Sequence, residues 1–128
     1  EGDLAADDPY TLSHLRDHWR ARYAEALDWL GEYYWHEAGS PHKAVNAFQR
    51  RLELDESHEP AHQSLIRIYL ETGQIERARQ QYLACREALA SQLGVEPSPS
   101  TEALHQLAIA MENEGQPGPE PPASPRRR

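Results

Sequence analysis

Residues 58–62 read His-Glu-Pro-Ala-His, which is the spacing of the H-E-x-x-H zinc motif. In a continuous helix, two histidines at this spacing bind one metal ion and the glutamate acts as a general base. Pro60 disfavours such a helix here, because proline has no amide proton and its ring clashes with the carbonyl oxygen four residues earlier. The only histidine further along the chain is His105, on a different predicted helix and without the spacing of a third ligand. The segment is therefore predicted to be the start of a helix, not a metal site.

The other side chains that could bind metal or act as nucleophiles are also predicted to have structural roles. His14 and His18 lie one helical turn apart, but a metal site generally needs three or four ligands, so we expect a solvated helix face. Cys85 falls on the inward face of a predicted helix without an activating base or cation beside it, which predicts a buried thiol. The sequence contains no glycine-rich phosphate loop and no nucleophile-elbow pattern around a serine. We expect no catalytic residue, no cofactor, no metal site and no enzymatic activity.

Bulk composition limits the class of protein further. The 128 residues carry a formal net charge of −8, and this acidic balance disfavours direct binding of nucleic acid. No apolar run approaches the roughly 18–20 residues of a membrane span, and no signal peptide opens the chain. A single cysteine excludes an internal disulfide, so a cytoplasmic location is expected. The chain starts at Glu1 without an initiator methionine, which suggests a domain taken from a longer protein.

A repeat indicates the elements that position these residues. Three residues of similar character recur after 34 positions: Gly39, Ala44 and Phe48 are followed by Gly73, Ala78 and Tyr82. A period of 34 with a turn glycine, then a small and an aromatic residue on the second helix, is typical of the tetratricopeptide unit. The sequence predicts an all-α, tetratricopeptide-like stack of helix hairpins, with two repeats and a capping helix, about five helices in all. Such stacks present surfaces for binding.

Apolar spacing and turn residues predict the helix boundaries. Ser-Pro pairs at 40–41 and 98–99 are helix starts, and Gly39, Gly73 and Gly94 are helix ends. The stripe predicted to face inward on the first helix is Leu12, Leu15, Trp19, Tyr23, Leu27, Leu30 and Tyr34. On the last two helices the predicted inward residues include Cys85, Leu89, Leu93, Leu104, Leu107 and Met111. The first repeat has one extra residue before its glycine, which predicts a slightly longer first turn.

Three regions are predicted along the chain. Residues 1–10 form a frayed acidic N-terminus, residues 11–114 form the tetratricopeptide-like domain, and residues 115–128 form a disordered Pro-rich linker with a basic end.

Several segments resemble one family, the bacterial transcriptional activator domain. They are H-E-P-A-H-Q-S-L-I-R-I-Y at 58–69, T-G-Q at 72–74, A-R-Q-Q-Y at 78–82 and L-G-V-E-P-S-P-S-T at 93–101. The last string is the most specific, and the resemblance covers roughly residues 23–111. In regulators of the antibiotic-regulatory-protein type, this domain follows a winged-helix DNA-binding domain, which this chain lacks.

The resemblance implies a non-enzymatic activation and interaction module of a bacterial transcription regulator. Its expected partners are proteins: the neighbouring winged-helix domain, the transcription machinery, and a second copy in self-association. DNA would be contacted only indirectly, through the missing domain, and no membrane is expected. The alternative is a generic tetratricopeptide adaptor that binds a peptide in its concave groove.

Aromatic residues near the end of the first helix are candidate partner contacts. Trp29, Tyr33 and Trp35 cannot all face the same side of a helix, and an exposed tryptophan is unusual enough to suggest a docking face. The face would receive either the winged-helix domain or a second copy. Packing of the same side chains against the second hairpin is the alternative.

Basic residues on the third and fourth helices are the second candidate set. Arg67, Arg79 and Arg86 could face phosphate or an acidic partner. Solvent-exposed ion pairs, such as Glu76 with Arg79 three residues later, are the alternative.

Overall fold

A computed structural model describes residues 9–115. All secondary-structure elements in this part of the chain are helices, which confirms the predicted all-α stack of helix hairpins. Residues 9–115 form five helices: α1 (Pro9–Glu32, continued by a π turn over Tyr33–Glu37), α2 (Pro41–Leu54), α3 (Glu59–Glu71), α4 (Ile75–Leu93) and α5 (Pro99–Gly115). α1 packs on α2, α2 on α3, α3 on α4, and α5 on both α3 and α4. No helix within residues 9–115 is long and apolar enough to cross a membrane.

The helix boundaries follow the local sequence as predicted. The Ser40 hydroxyl accepts a hydrogen bond from the Lys43 amide at 3.4 Å and caps α2, which begins at Pro41. Gly39 and Gly73 close the two hairpin turns with φ of +62° and +79°, a left-handed conformation that side chains with a Cβ rarely adopt. Of the segments predicted at 1–10 and 115–128, residues 1–8 and 116–128 lie outside the described residues, while residues 9 and 10 belong to α1 and residue 115 to α5.

The extra residue of the first repeat lies in the helix, so the predicted longer turn is wrong. Three residues connect the helices in each hairpin, Ala38–Ser40 in the first and Thr72–Gln74 in the second. The first helix instead widens into a π turn, in which the Ala38 amide donates to the carbonyl of Tyr33, five residues earlier, at 2.9 Å. A π turn accommodates one inserted residue while the helix continues, so both hairpins keep the same loop.

The core is continuous across the two hairpins and α5. Its buried residues include the small and aromatic residues of the repeat, Ala44, Phe48, Ala78 and Tyr82. The others are Ala61, Leu65, Ile66, Ile68, Tyr69, Leu70 and Ala108. The alanines Ala44 and Ala78 are fully buried where paired helices cross, as expected of small residues at these positions.

The predicted inward stripe of α1 is wrong over its first half. Leu12, Leu15, Trp19 and Tyr23 are all exposed, with Trp19 67% exposed, while Leu27 is buried. The physical reason is length: the Arg20 guanidinium reaches the carbonyl of Leu54, the last residue of α2, so α1 before this point extends past its partner. Two other residues predicted to be buried are also exposed: Leu93 in the last turn of α4 and Leu107 on α5.

Candidate functional site

The H-E-x-x-H segment forms the first turn of α3, as predicted. His58 is the N-cap residue, and Pro60 lies within the first two helical positions, where its missing amide proton costs nothing. The two histidines contact different groups. The imidazole Nδ1 of His58 lies 3.3 Å from the Arg51 guanidinium, and its Nε2 lies 3.8 Å from the carboxylate of Asp28. His58 therefore joins the α2–α3 turn to α1 and α2.

His62 is buried and both of its ring nitrogens have partners inside the fold. Nε2 lies 2.7 Å from the carbonyl oxygen of Glu56, which can only accept, so Nε2 carries the proton and donates it. Nδ1 lies 2.8 Å from the side-chain amide of Gln81 and accepts from it. Burial is the largest influence on this imidazole and lowers the pKa of His62 below its ordinary value of 6.5. The histidine is thus held neutral between α3, α4 and the turn before α3.

A neutral buried histidine makes stability depend on pH. Because the pKa of His62 is lowered in the folded state, its contribution is present above the ordinary value of 6.5 and is lost as pH falls through the folded pKa. We expect the free energy of unfolding to fall between about pH 7.5 and pH 5.5, and to fall less in His62→Gln. Urea unfolding at the two pH values measures both changes. His42→Gln, at an exposed site on α2, is the matched control and is expected to keep the wild-type pH dependence.

Glu59 connects the start of α3 to the start of α5. Its Oε2 accepts hydrogen bonds from the Ser98 amide at 2.8 Å and from the Thr101 hydroxyl. Gln63 donates to the same hydroxyl at 2.8 Å, and Thr101 is fully buried. Burial acts to raise the pKa of Glu59, but the hydrogen bonds from Thr101 and Ser98 outweigh it, so the pKa lies below its ordinary value. We call Glu59, Gln63, Ser98 and Thr101 the Glu59 network.

The Glu59 network shows what two residues of the L-G-V-E-P-S-P-S-T string do in the fold. Ser98 and Thr101 belong to this string, and Glu59 belongs to the H-E-x-x-H segment. The carboxylate that a zinc protease would use as a base is here an acceptor at the N-terminus of another helix. Sequence reasoning missed this partnership because 39 residues separate Glu59 from Ser98. The one available signal was the occurrence of both segments within the same resemblance.

The other residues considered for metal binding or catalysis, His14, His18 and Cys85, lie in surroundings that suit neither role. Among residues 9–115, no group of three or more His, Cys, Asp and Glu side chains has metal-binding geometry. His14 and His18 are exposed, as predicted, and each contacts a neighbouring aromatic ring, Tyr10 and Trp19 respectively. Cys85 is fully buried, as predicted, and burial raises the pKa of its thiol to about 12. A thiol in this state is a poor nucleophile at neutral pH.

The three candidate aromatic residues lie on two different sides of α1. Trp29 is 64% exposed and its ring stacks on that of Tyr33, with centroids 5.3 Å apart and planes 6° apart. Trp35 is half-buried and packs against the core. The prediction that the three cannot share one side is confirmed, and the structure separates an exposed pair from a core-facing tryptophan.

A larger exposed surface adjoins the Trp29–Tyr33 pair. At 100° per residue, seven apolar residues of α1 fall within an arc of about 80°. We call them the outer face of α1: Leu12, Leu15, Trp19, Tyr23, Ala26, Leu30 and Tyr33. Within residues 9–115, only Leu30 of this set is half-buried and the others are exposed. Sequence reasoning assigned most of this surface to the core.

The three candidate arginines have different surroundings. Arg79 is half-buried and pairs with Glu76 at 3.0 Å, as predicted, and with Glu112 of α5 at 3.6 Å. Arg86 is exposed on α4. Arg67 is exposed and lines a hollow of about 270 Å³ between α1 and α3, which we call the α1–α3 hollow. Side chains around this hollow include Glu32, Trp35, His36, Phe48, Arg67 and Glu71.

Comparison with known proteins gives one finding. A family model described as the bacterial transcriptional activator domain matches residues 1–108. A search of curated proteins and a search of solved structures each gave no match.

Proposed function

The chain belongs to the bacterial transcriptional activator domain family, and from this premise we propose that it is a non-enzymatic activation and interaction module of a bacterial transcription regulator. It works through protein contacts in the cytoplasm. It supports a winged-helix DNA-binding domain encoded outside this sequence, and it contacts DNA only through that domain. A domain with a formal net charge of −8 is poorly suited to hold the phosphate backbone itself.

The distribution of exposed aromatic side chains carries this proposal. The residues suited to chemistry, among them Glu59, His62 and Cys85, are used in contacts between helices. Trp29 and Tyr33, in contrast, form a stacked aromatic pair that is exposed to solvent. Large exposed aromatic residues are typical of protein interfaces, where they supply contact area at little entropic cost.

The α1–α3 hollow is proposed as the surface for the transcription machinery. Trp35 provides an apolar wall, Arg67 an exposed cation, and Glu32 and Glu71 exposed carboxylates. This mixed lining suits a partner segment that offers an apolar side chain and polar groups of both signs. Among the described residues Arg67 takes part in no ion pair, so its guanidinium is available.

The alternative is a tetratricopeptide adaptor that binds a peptide in the same hollow without a role in transcription. The hollow itself fits either function, because peptide clamps also use the inner helices of such stacks. Family membership favours the regulator.

A reporter assay separates the two functions. We fuse the 128-residue chain to a heterologous winged-helix domain and measure transcription from a promoter that carries its operator. The expected result is several-fold activation over the winged-helix domain alone, and its loss in Arg67→Glu. Arg50→Glu, the same charge change at an exposed site on α2, is the matched control and is expected to activate normally. Equal transcription with and without the chain, at equal protein levels, would reject the regulator function.

A further inference from the structure

We propose that a groove between α2 and α4 binds an extended segment of a partner protein, in which an acidic, an apolar and a basic residue occupy alternate positions. This groove, which we call the α2–α4 groove, lies on the opposite side of α3 from the α1–α3 hollow. It is therefore a second contact surface, and the proposal does not depend on the proposed function.

The α2–α4 groove exists because α3 packs against both α2 and α4, while space remains between those two helices. Hollows of about 370 and 360 Å³ form its two ends. His62 and Tyr69 of α3, both buried, lie at its floor, whereas Arg67 on the other side of α3 lines the α1–α3 hollow. At 100° per residue, the residues that α4 contributes fall within an arc of about 60° and so form one continuous wall. They are Arg77, Gln81, Ala84 and Ala88.

The two ends of the α2–α4 groove carry opposite charge. The lining of one end includes His42 and Arg77 and no carboxylate. The lining of the other end includes Glu53 and Glu56 and no lysine or arginine. The helix dipoles have the same polarity, because α2 and α4 both begin at the end that Arg77 lines. A segment bound along the groove is therefore expected to place an acidic group beside Arg77 and a basic group beside Glu53.

The charged groups at both ends are available to a partner. Within residues 9–115, neither Arg77 nor Glu53 takes part in an ion pair, and both side chains are exposed. The Arg77 guanidinium lies over the ring of Tyr69, 6.0 Å from its centroid, which holds the cation at the groove. Glu56 accepts a hydrogen bond from Gln92 at 3.3 Å, so Glu53 is the carboxylate that we expect to hold the basic residue.

The middle of the α2–α4 groove suits an extended backbone. The side-chain amide of Gln49 donates to the Tyr69 hydroxyl at 3.4 Å, and that of Gln81 donates to Nδ1 of His62 at 2.8 Å. The two amide oxygens have no hydrogen-bond partner in the described part of the chain and can accept from backbone N–H groups. An extended segment has such groups free, whereas a helix uses its own internally.

The length of the groove determines the spacing of the bound residues. From His42 to Glu53, α2 rises about 16 Å. Four residues of extended chain span about 13 Å, and long charged side chains at both ends cover the difference. Alternate side chains of an extended segment point to the same face, so the acidic, apolar and basic residues are expected at every second position. The half-buried Val45 and Leu52 are the contacts for the apolar residue.

The first test measures binding of labelled synthetic peptides to the full 128-residue chain by fluorescence anisotropy. Two probes with blocked termini, G-E-T-V-T-R-G and G-R-T-V-T-E-G, differ only in the order of their charges. Two control probes, G-E-T-V-T-E-G and G-R-T-V-T-R-G, carry like charges. At least one of the first two is expected to bind with a dissociation constant below about 100 μM, and each control probe about tenfold more weakly.

The second test assigns binding to the charged ends of the groove. Arg77→Glu and Glu53→Lys are each expected to weaken binding by more than about tenfold. The double variant Arg77→Glu/Glu53→Lys reverses the polarity of the groove and is expected to prefer the probe with the opposite order of charges, which loss of folding cannot produce. Arg67→Glu, the same charge change in the α1–α3 hollow, is the matched control and is expected to bind normally.

A third test blocks the groove without a change of charge. Ala84 is exposed and lines the groove, so the indole of Ala84→Trp is expected to fill it and abolish binding. Leu83→Trp, at the neighbouring residue, is the matched control, because Leu83 is 52% exposed and lies outside the groove lining. Circular dichroism verifies that both variants are folded.

Three outcomes would overturn the proposal. They are no binding of either opposite-charge probe at about 1 mM, binding that Ala84→Trp leaves unchanged, and equal binding of the like-charge probes. A wild-type dimer in sedimentation equilibrium that Ala84→Trp converts to a monomer would also overturn it, in favour of a second copy as the occupant of the groove.

Discussion

Replacement of Glu59 by alanine is expected to lower the free energy of unfolding by about 2–4 kcal/mol. The substitution removes the acceptor of two hydrogen bonds, from the Ser98 amide and from the hydroxyl of the fully buried Thr101. Hydrogen bonds to a carboxylate contribute more than neutral ones, and a buried donor left without its partner adds a desolvation cost. Urea unfolding monitored by circular dichroism measures the loss.

Two variants separate the Glu59 network from a general effect of removing a carboxylate. Glu59→Gln keeps an acceptor oxygen and removes the charge, so a smaller loss, of about 1 kcal/mol, is expected. Glu76→Ala removes a carboxylate from the first turn of α4, where it faces solvent and pairs with Arg79. Its cost is expected to stay below about 1 kcal/mol. Equal losses in Glu59→Ala and Glu76→Ala would show that the network contributes nothing beyond an ordinary helix-end charge.

The Glu59 network also predicts part of the acid sensitivity. The pKa of Glu59 is lowered in the folded state, so its contribution is present above the ordinary value of 4.5 and is lost as pH falls through the folded pKa. The difference in free energy of unfolding between Glu59→Ala and the wild type is therefore expected to be smallest at the lowest pH at which the domain is still folded. The pH range over which Glu59 loses its contribution to stability lies below that of His62, whose contribution starts to fall near pH 6.5.

Gly31→Ala is expected to destabilise the domain by about 1–2 kcal/mol, although alanine is the better helix former. Gly31 is buried on α1, and a Cβ placed there would lie 2.6 Å from two carbons of the Phe48 ring, closer than real contacts allow. Relief would require movement of α1 or of the aromatic ring that fills the space between the hairpins. Overpacking generally costs about 1–3 kcal/mol, and contacts as short as these place the cost in the upper part of that range, about 2–3 kcal/mol. After the gain of about 1 kcal/mol in helix propensity, a net loss of about 1–2 kcal/mol remains.

Thermal and urea unfolding of three further variants test the cause. Gly115→Ala, at a helix end where a Cβ would meet nothing within 4 Å, is the matched control and is expected to be neutral. Phe48→Leu alone leaves a cavity, whereas Gly31→Ala/Phe48→Leu fills part of it, so the double variant is expected to lose less than the sum of the two single losses. If the two single losses simply add in the double variant, the space at Gly31 is not limited by the Phe48 ring.

The sequence predicted the hairpins because their signals are local. Turn glycines, Ser-Pro starts and the 34-residue recurrence depend on neighbouring residues or on one period, and Gly39, Ser40 and Ala78 behave as predicted. The first half of α1 was predicted as buried because periodicity reports an apolar face and not its partner. The length of α2 decides whether Trp19 has one, and α2 ends at Leu54.

The candidate site was harder to predict because its contacts are distant in sequence. Pro60 was enough to predict that the H-E-x-x-H segment starts a helix, but nothing local indicated that Glu59 accepts from Ser98 and Thr101. Likewise the one-residue insertion before Gly39 was visible, while its accommodation as a π turn at Tyr33 depends on how α1 packs against α2.

Zinc content measured together with thermal unfolding tests the central claim most directly, namely that the residues resembling a catalytic motif hold helices together. The purified chain is dialysed against zinc, and the bound metal and Tm are measured for the wild type, Glu59→Ala and His62→Gln. We predict less than stoichiometric zinc in all three, no rise of Tm with zinc, and a lower Tm in both variants. One zinc ion per wild-type chain, with a raised Tm and loss of the metal in His62→Gln, would contradict the account.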